Sequence, residues 1–192
     1  MSKSEPSAHK KERNKTIRWV VLIFFITIFV SGTISLLSDL LMENSSMAVA
    51  FLILLVIILI GIVFDVVGMA VASADEKPFH SMAARKVPGA QESITLLRNA
   101  ERVSSICNDV VGDICGVVSG SASATIAVQI IRNFDFTWPQ LASLMMSALG
   151  AGLTVGGTAI GKGFAVNSST AIVHAVGRMI YWFHGNQKKT KR

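Results

Sequence analysis

The chain has 192 residues, 51% of them hydrophobic and only 16% charged, with a formal net charge of +6. An average soluble domain is about 25% charged, so the deficit excludes an ordinary soluble domain, and the length has room for one bundle without a second large domain. The basic surplus does not point to nucleic acid: the Lys and Arg residues lie at the two tails and in the middle connection, beside apolar runs, as membrane proteins place them.

Residues 1–18 are polar and basic, with Lys10, Lys11, Arg13, Lys15 and Arg18, and read as a disordered cytoplasmic arm. Residues 19–37 are an almost unbroken apolar run. The run is too long for a typical signal-peptide core and no clear small-x-small cleavage site follows, so it predicts a retained N-terminal transmembrane helix. A short acidic loop with Asp39 and Glu43 fills 38–46, and a second span covers 47–74. Residues 75–100 turn polar and amphipathic, broken by Pro78 and by Pro88-Gly89. Two interfacial helices, over 79–86 and 90–99, fit that pattern. The third span, 101–131, is less apolar and rich in small residues; a turn follows at 132–137. The fourth, 138–162, is dense in glycine and begins at Trp138, a residue suited to the interface. Asn167-Ser168-Ser169 can cap a last helix to about His184, so residues 172–192 read as an amphipathic helix with a basic tail. The predicted fold is all-α: a polytopic membrane bundle of four transmembrane helices with amphipathic interfacial helices.

Charge placement sets the expected orientation. With the amino terminus inside, seventeen of the eighteen Lys and Arg residues fall on one side, leaving Arg132 opposite. The positive-inside rule then puts both termini in the cytoplasm and the protein in the plasma membrane as a multi-pass species.

Three carboxylates interrupt the apolar spans: Asp65, Asp109 and Asp113. A charge at the bilayer centre costs about 2.5–3.5 kcal/mol on insertion scales, so such residues generally face protein and mark an ion or proton site. In the expected topology Asp65 and Asp109 both lie roughly 12–14 Å from the inner edge, with Asp113 one turn deeper. Asp109 and Asp113 share a helix face flanked by Asn108 and Gly112, and Thr158 falls at a comparable level. Carboxylates, an amide and a hydroxyl are hard oxygen donors, suited to Mg²⁺ rather than to zinc or copper. The alternative is a set of protonated or Arg-paired Asp residues with no ligand.

Two ladders of small residues, Gly112-Gly116-Gly120 and Ala148-Gly152-Gly156, allow close helix approach, either within one chain or across a dimer seam. Cys107 and Cys115 are about 12 Å apart along one helix, too far to bridge, and read as small buried residues. Residues 156–163 (GGTAIGKG) nearly match a phosphate-binding loop, but Gly163 replaces the Mg²⁺-binding Ser or Thr and no strand precedes it. His80, His174 and His184 lack metal-ligand spacing and suit surface or interfacial positions. No nucleophilic constellation is apparent, so no enzyme is expected.

Residues 61–70 (GIVFDVVGMA), Asn108 and the stretch Gly157-Thr158-Ala159-Ile160-Gly161-Lys162 resemble, in order and spacing, motifs of the transmembrane domain of the cyclin-M/CorB–CorC magnesium transporters. The resemblance runs from about Gly61 to Ala171, within a candidate transmembrane domain at 47–171. It implies a dehydrated Mg²⁺ bound between helices, a homodimer, and ligands at Asp65, Asn108 and Thr158. The family's acidic residue is Thr158 here, its Pro is Gly161, and a helix-one Ser is Asp65. The CBS pair and CorC-type domain that usually follow, and regulation of that kind, are not expected in a chain of this length. The expected function is transport of a divalent cation, Mg²⁺ first, through Asp65, Asn108, Asp109, Asp113 and Thr158. The alternative is a non-transporting membrane adaptor that holds a partner or anionic lipid.

Overall fold

A computed structural model describes residues 6–43, 45–134 and 138–189, and among these the regular elements are all helical. They are α1 (Pro6–Glu43), α2 (Met47–Ser73), α3 (Lys77–Ala84), α4 (Ala90–Arg98), α5 (Ala100–Ser105), a π-helical stretch (Ile106–Gly112), α6 (Asp113–Phe134), α7 (Pro139–Asn167) and α8 (Ser169–Lys189). Among the described residues, four helical stretches are long and apolar enough to cross a membrane: 17–42, 47–73, 100–133 and 139–167. The expected all-α bundle is therefore present, and the third span is α5, the π stretch and α6 run together.

The element ends differ from the sequence reading in instructive ways. Helix α1 begins at Pro6, inside the segment read as a disordered arm, and runs to Glu43, through most of the expected acidic loop. No proline or glycine interrupts the chain between Thr33 and Glu43, so the helix continues past the apolar run. Only residues 44–46 are left to connect it to α2. The expected turn at 132–137 shortens for the same reason, because α6 extends to Phe134. Residues 1–5, 44, 135–137 and 190–192 lie outside the described residues. Pro88-Gly89 acts as expected: Gly89 adopts φ +88°, open to glycine at little cost, and α4 starts directly after it.

Two apolar clusters hold the bundle. One joins Met42 of α1, Ala50, Leu54 and Ile58 of α2, Ala122, Ile126 and Ala127 of α6, and Met146 of α7. The other joins Ala70 and Val71 at the end of α2 to Phe79, Ile94, Leu97, Ala165 and Val173. That second cluster docks the short helices α3 and α4, together with α8, under the ends of α2 and α7. Helix α1 lies at the edge, mainly against α6. There the Gln129 side-chain amide donates to the Met42 carbonyl at 2.8 Å, and the Arg102 guanidinium stands 5.7 Å from the Trp19 ring centroid. Large apolar side chains such as Phe25, Phe29, Leu52, Leu144 and Ile160 face outward, an arrangement suited to lipid and not to water.

Glycines set how closely the spans approach, but not those of the ladders alone. A Cβ at Gly61 would lie 2.9 Å from that of Cys115, and one at Gly150 would lie 2.5 Å from Ser123 Oγ. Gly157 and Gly161 receive Ile62 and Val66 of α2. By contrast Gly116, Gly120, Gly152 and Gly156 would carry a Cβ with nothing within 4 Å. Of the ladder glycines, only Gly112 is in close contact with another span.

The contact between α4 and α8 is equally tight. The Ser93 hydroxyl hydrogen bonds the Gly89 carbonyl at 2.8 Å and the Val173 carbonyl at 3.2 Å. A side chain at Gly177 would meet Ser93 Oγ and the Gly89 carbonyl. Gly177→Val is expected to destabilise the protein by about 1–3 kcal/mol through overpacking. The check is the thermal unfolding midpoint of the purified protein in detergent, with Gly163→Ala, an open position, as the control.

Candidate functional site

Asp65 is held between the third and fourth spans. It lies eight residues before the end of α2, Thr158 nine before the end of α7, and Asp109 nine after the start of α5. All three are thus about 12–14 Å along their helices from the end of the bundle that carries α3, α4 and α8. The Thr158 hydroxyl donates to Asp65 Oδ2 at 3.2 Å. On the other side, a Cβ at Gly112 would lie 2.5 Å from Asp65 Oδ1. The missing side chain of Gly112 therefore makes the space that the carboxylate occupies.

Asn108 lies on the π-helical stretch, one turn before Gly112. Its Nδ2 donates weakly to Ser104 Oγ at 3.4 Å, while its Oδ1 is buried without a hydrogen-bond partner. That oxygen packs against Gly68 of α2, where any side chain would collide with it. An unsatisfied buried acceptor costs about 1–3 kcal/mol. π turns of this kind occur frequently at functional sites.

One cleft of about 760 Å³ runs between α6 and α7 over α2. Its lining includes all five residues selected from the sequence: Asp65, Asn108, Asp109, Asp113 and Thr158. They are not equivalent. Asp65, Asn108 and Thr158 are half-buried, whereas Asp109 and Asp113 are exposed along the cleft. Asp109 Oδ2 accepts a hydrogen bond from Ser105 Oγ at 2.7 Å. Among the described residues no three His, Cys, Asp or Glu side chains come together as a metal-binding group. The three carboxylates thus share a cleft without forming one chelate. The compact donor set is the Asp65 carboxylate with the Thr158 hydroxyl; the Asn108 amide packs against Gly68, three residues further along α2.

Thr154 escaped the sequence reading, and Lys162 entered it only as part of the stretch from Gly157 to Lys162 that carries the resemblance. The two lie one turn on either side of Thr158, and the spacing 154, 158, 162 was the signal for a shared polar face on α7. Elsewhere, the expected surface position holds for His80, which is exposed and stands 3.3 Å from Glu76. His174 departs from it: the residue is half-buried and its Nε2 is buried with no partner, because α8 packs under α2 and α4. The His184 side chain lies outside the described residues. Cys107 and Cys115 are free thiols, as expected, and Cys107 is buried. The near-match to a phosphate loop lies wholly within α7. Set against known protein families, curated proteins and solved structures, the chain matches none of them.

Proposed function

We propose that this protein binds and moves a divalent cation, Mg²⁺ first, across the membrane it spans. The observation that carries the reading is Asp65, wedged against Gly112 and hydrogen-bonded to Thr158 in a cleft that Asn108 also lines. A carboxylate, a hydroxyl lone pair and an amide oxygen are hard donors, and Mg²⁺ takes a few such ligands while keeping several waters. The cleft has room for those waters. Asp109 and Asp113 supply negative charge along it and concentrate cations near the ligands. The positions at which the chain resembles magnesium transporters, Asp65, Asn108 and Thr158, all line this cleft.

The mechanism in this reading is carrier-like: the cleft opens to alternate sides, and the ion sheds part of its hydration between the spans. The protein works as a homodimer in the plasma membrane with both termini cytoplasmic. The open positions at Gly120, Gly152 and Gly156 support a dimer, because small faces permit close packing in lipid and these are not filled within the chain.

The test is flux of Mg²⁺ into proteoliposomes loaded with a Mg²⁺-sensitive dye. Flux above that of empty liposomes is expected. Its absence, together with a stoichiometric partner recovered from membranes, would favour the non-transporting adaptor. Within the site, Thr158→Val keeps the shape and removes the hydroxyl. One hydrogen bond to a carboxylate is worth about 1.5–3 kcal/mol, so flux at sub-saturating Mg²⁺ is expected to fall about tenfold or more. Thr154→Val, which leaves Asp65 its partner, is the comparison.

A further inference from the structure

We infer that Lys162 is a tethered cation guarding the cleft: its ammonium competes with the divalent ion for the carboxylates and moves aside as the ion passes. The inference rests on the transport reading above and adds to it how one end of the cleft is controlled.

The placement carries it. Among the described residues, Lys162 is the one positive side chain that lines the cleft together with Asp65, Asp109 and Asp113. It is one turn beyond Thr158 on the same face of α7 and five residues before the end of that helix. It therefore stands about 8 Å from the helix end, while Asp65 and Thr158 stand about 12–14 Å in. An ion leaving the ligands toward the end that carries α3, α4 and α8 must pass the level of Lys162.

The side chain is also uncommitted. Lys162 is exposed and makes no ion pair with any described carboxylate. A fixed salt bridge would lock the cleft shut; a free ammonium on a flexible four-carbon stem can swing. Three carboxylates at membrane depth are costly with no cation nearby. A tethered ammonium offsets that cost when the ion is absent and is displaced by the doubly charged ion when it arrives. Other basic groups outside the cleft, such as Arg98, Arg102 and Arg178, do not line it. The plain alternative is a snorkelling lysine that extends to the headgroups and has no part in ion binding.

The two separate by charge. Full-length protein in detergent would be titrated calorimetrically with Mg²⁺, and the same variants assayed for flux in proteoliposomes. Lys162→Met is expected to bind Mg²⁺ about tenfold more tightly, since a nearby like charge is removed, and to release it more slowly, lowering maximal flux. Lys162→Arg, which keeps the charge, is expected to stay within about threefold of wild type in affinity. Should Lys162→Met fold poorly on size-exclusion chromatography, Lys162→Gln is read in its place. Unchanged or weaker Mg²⁺ binding in the neutral variant, while Asp65→Asn binds none, overturns the guard and leaves the site standing. Absence of Mg²⁺ binding by wild type overturns the site and the guard together.

Discussion

Asp65→Asn is expected to lower divalent-cation flux by about 10- to 100-fold, whereas Asp109→Asn is expected to lower it about threefold at most. The two residues stand at the same depth and look equivalent in the sequence. The packing separates them. Asp65 reaches from α2 to both neighbouring spans, half-buried, with its two oxygens at Gly112 and Thr158. Asp109 is exposed and its Oδ2 is already engaged by Ser105. Asparagine keeps the size of Asp65 but removes its charge, and charge-assisted contacts are worth about 1.5–3 kcal/mol each. Losing Asp109 removes only a solvated charge that attracts ions from a distance, an effect that salt screens. Dye-reported Mg²⁺ flux in liposomes matched for protein content measures both. Equal losses in the two variants would mean that the carboxylates act as one general negative surface and that Asp65 has no special place.

Gly112→Ala is expected to remove most of the flux while leaving the helix at least as stable. Alanine favours helix over glycine by about 1 kcal/mol, so a loss of function cannot be put down to a weaker span. The added methyl would lie 2.5 Å from Asp65 Oδ1. That oxygen sits at the end of a flexible side chain, so the fold tolerates the change by turning the carboxylate away from Thr158. The pairing of an unchanged or raised thermal midpoint with lost flux is the signature. Retained flux would show that the position of Asp65 is not critical. Gly163→Ala on α7, which meets nothing within 4 Å, should leave flux unchanged and the midpoint unchanged or raised.

The sequence made the architecture readable because each span is an apolar stretch bounded by polar or basic residues, a pattern set by bilayer thickness. Pro88-Gly89 marked the turn between the two surface helices for an equally local reason. The ends of α1 and α6 were less legible, since a helix can outrun its apolar face when no breaker intervenes. Choosing Asp65, Asn108, Asp109, Asp113 and Thr158 needed only depth and polarity, and the bundle places all five along one cleft.

Ranking them needed the fold. The π-helical stretch at Ile106–Gly112 adds no distinctive residue and leaves no mark in the periodicity. The roles of glycine were hidden as well. The ladder spacing drew attention to Gly116, Gly120, Gly152 and Gly156, which are open, while Gly61, Gly68 and Gly157, outside the ladders, make close approaches to neighbouring spans. Spacing reports which residues share a face; it does not report which face meets a neighbour. Lys162 entered the sequence reading only inside the rejected phosphate-loop match and the stretch of resemblance at 157–162, although its four-residue spacing from Thr158 was visible.

The most direct measurement is the location of a bound ion by anomalous scattering from crystals grown with Mn²⁺ in place of Mg²⁺. A peak is expected in the cleft between α6 and α7, within about 2.6 Å of an Asp65 carboxylate oxygen, and absent from Asp65→Asn crystals. A peak confined to the exposed carboxylates Asp109 and Asp113, or one that persists unchanged in Asp65→Asn, would contradict a transport site built on Asp65, Asn108 and Thr158.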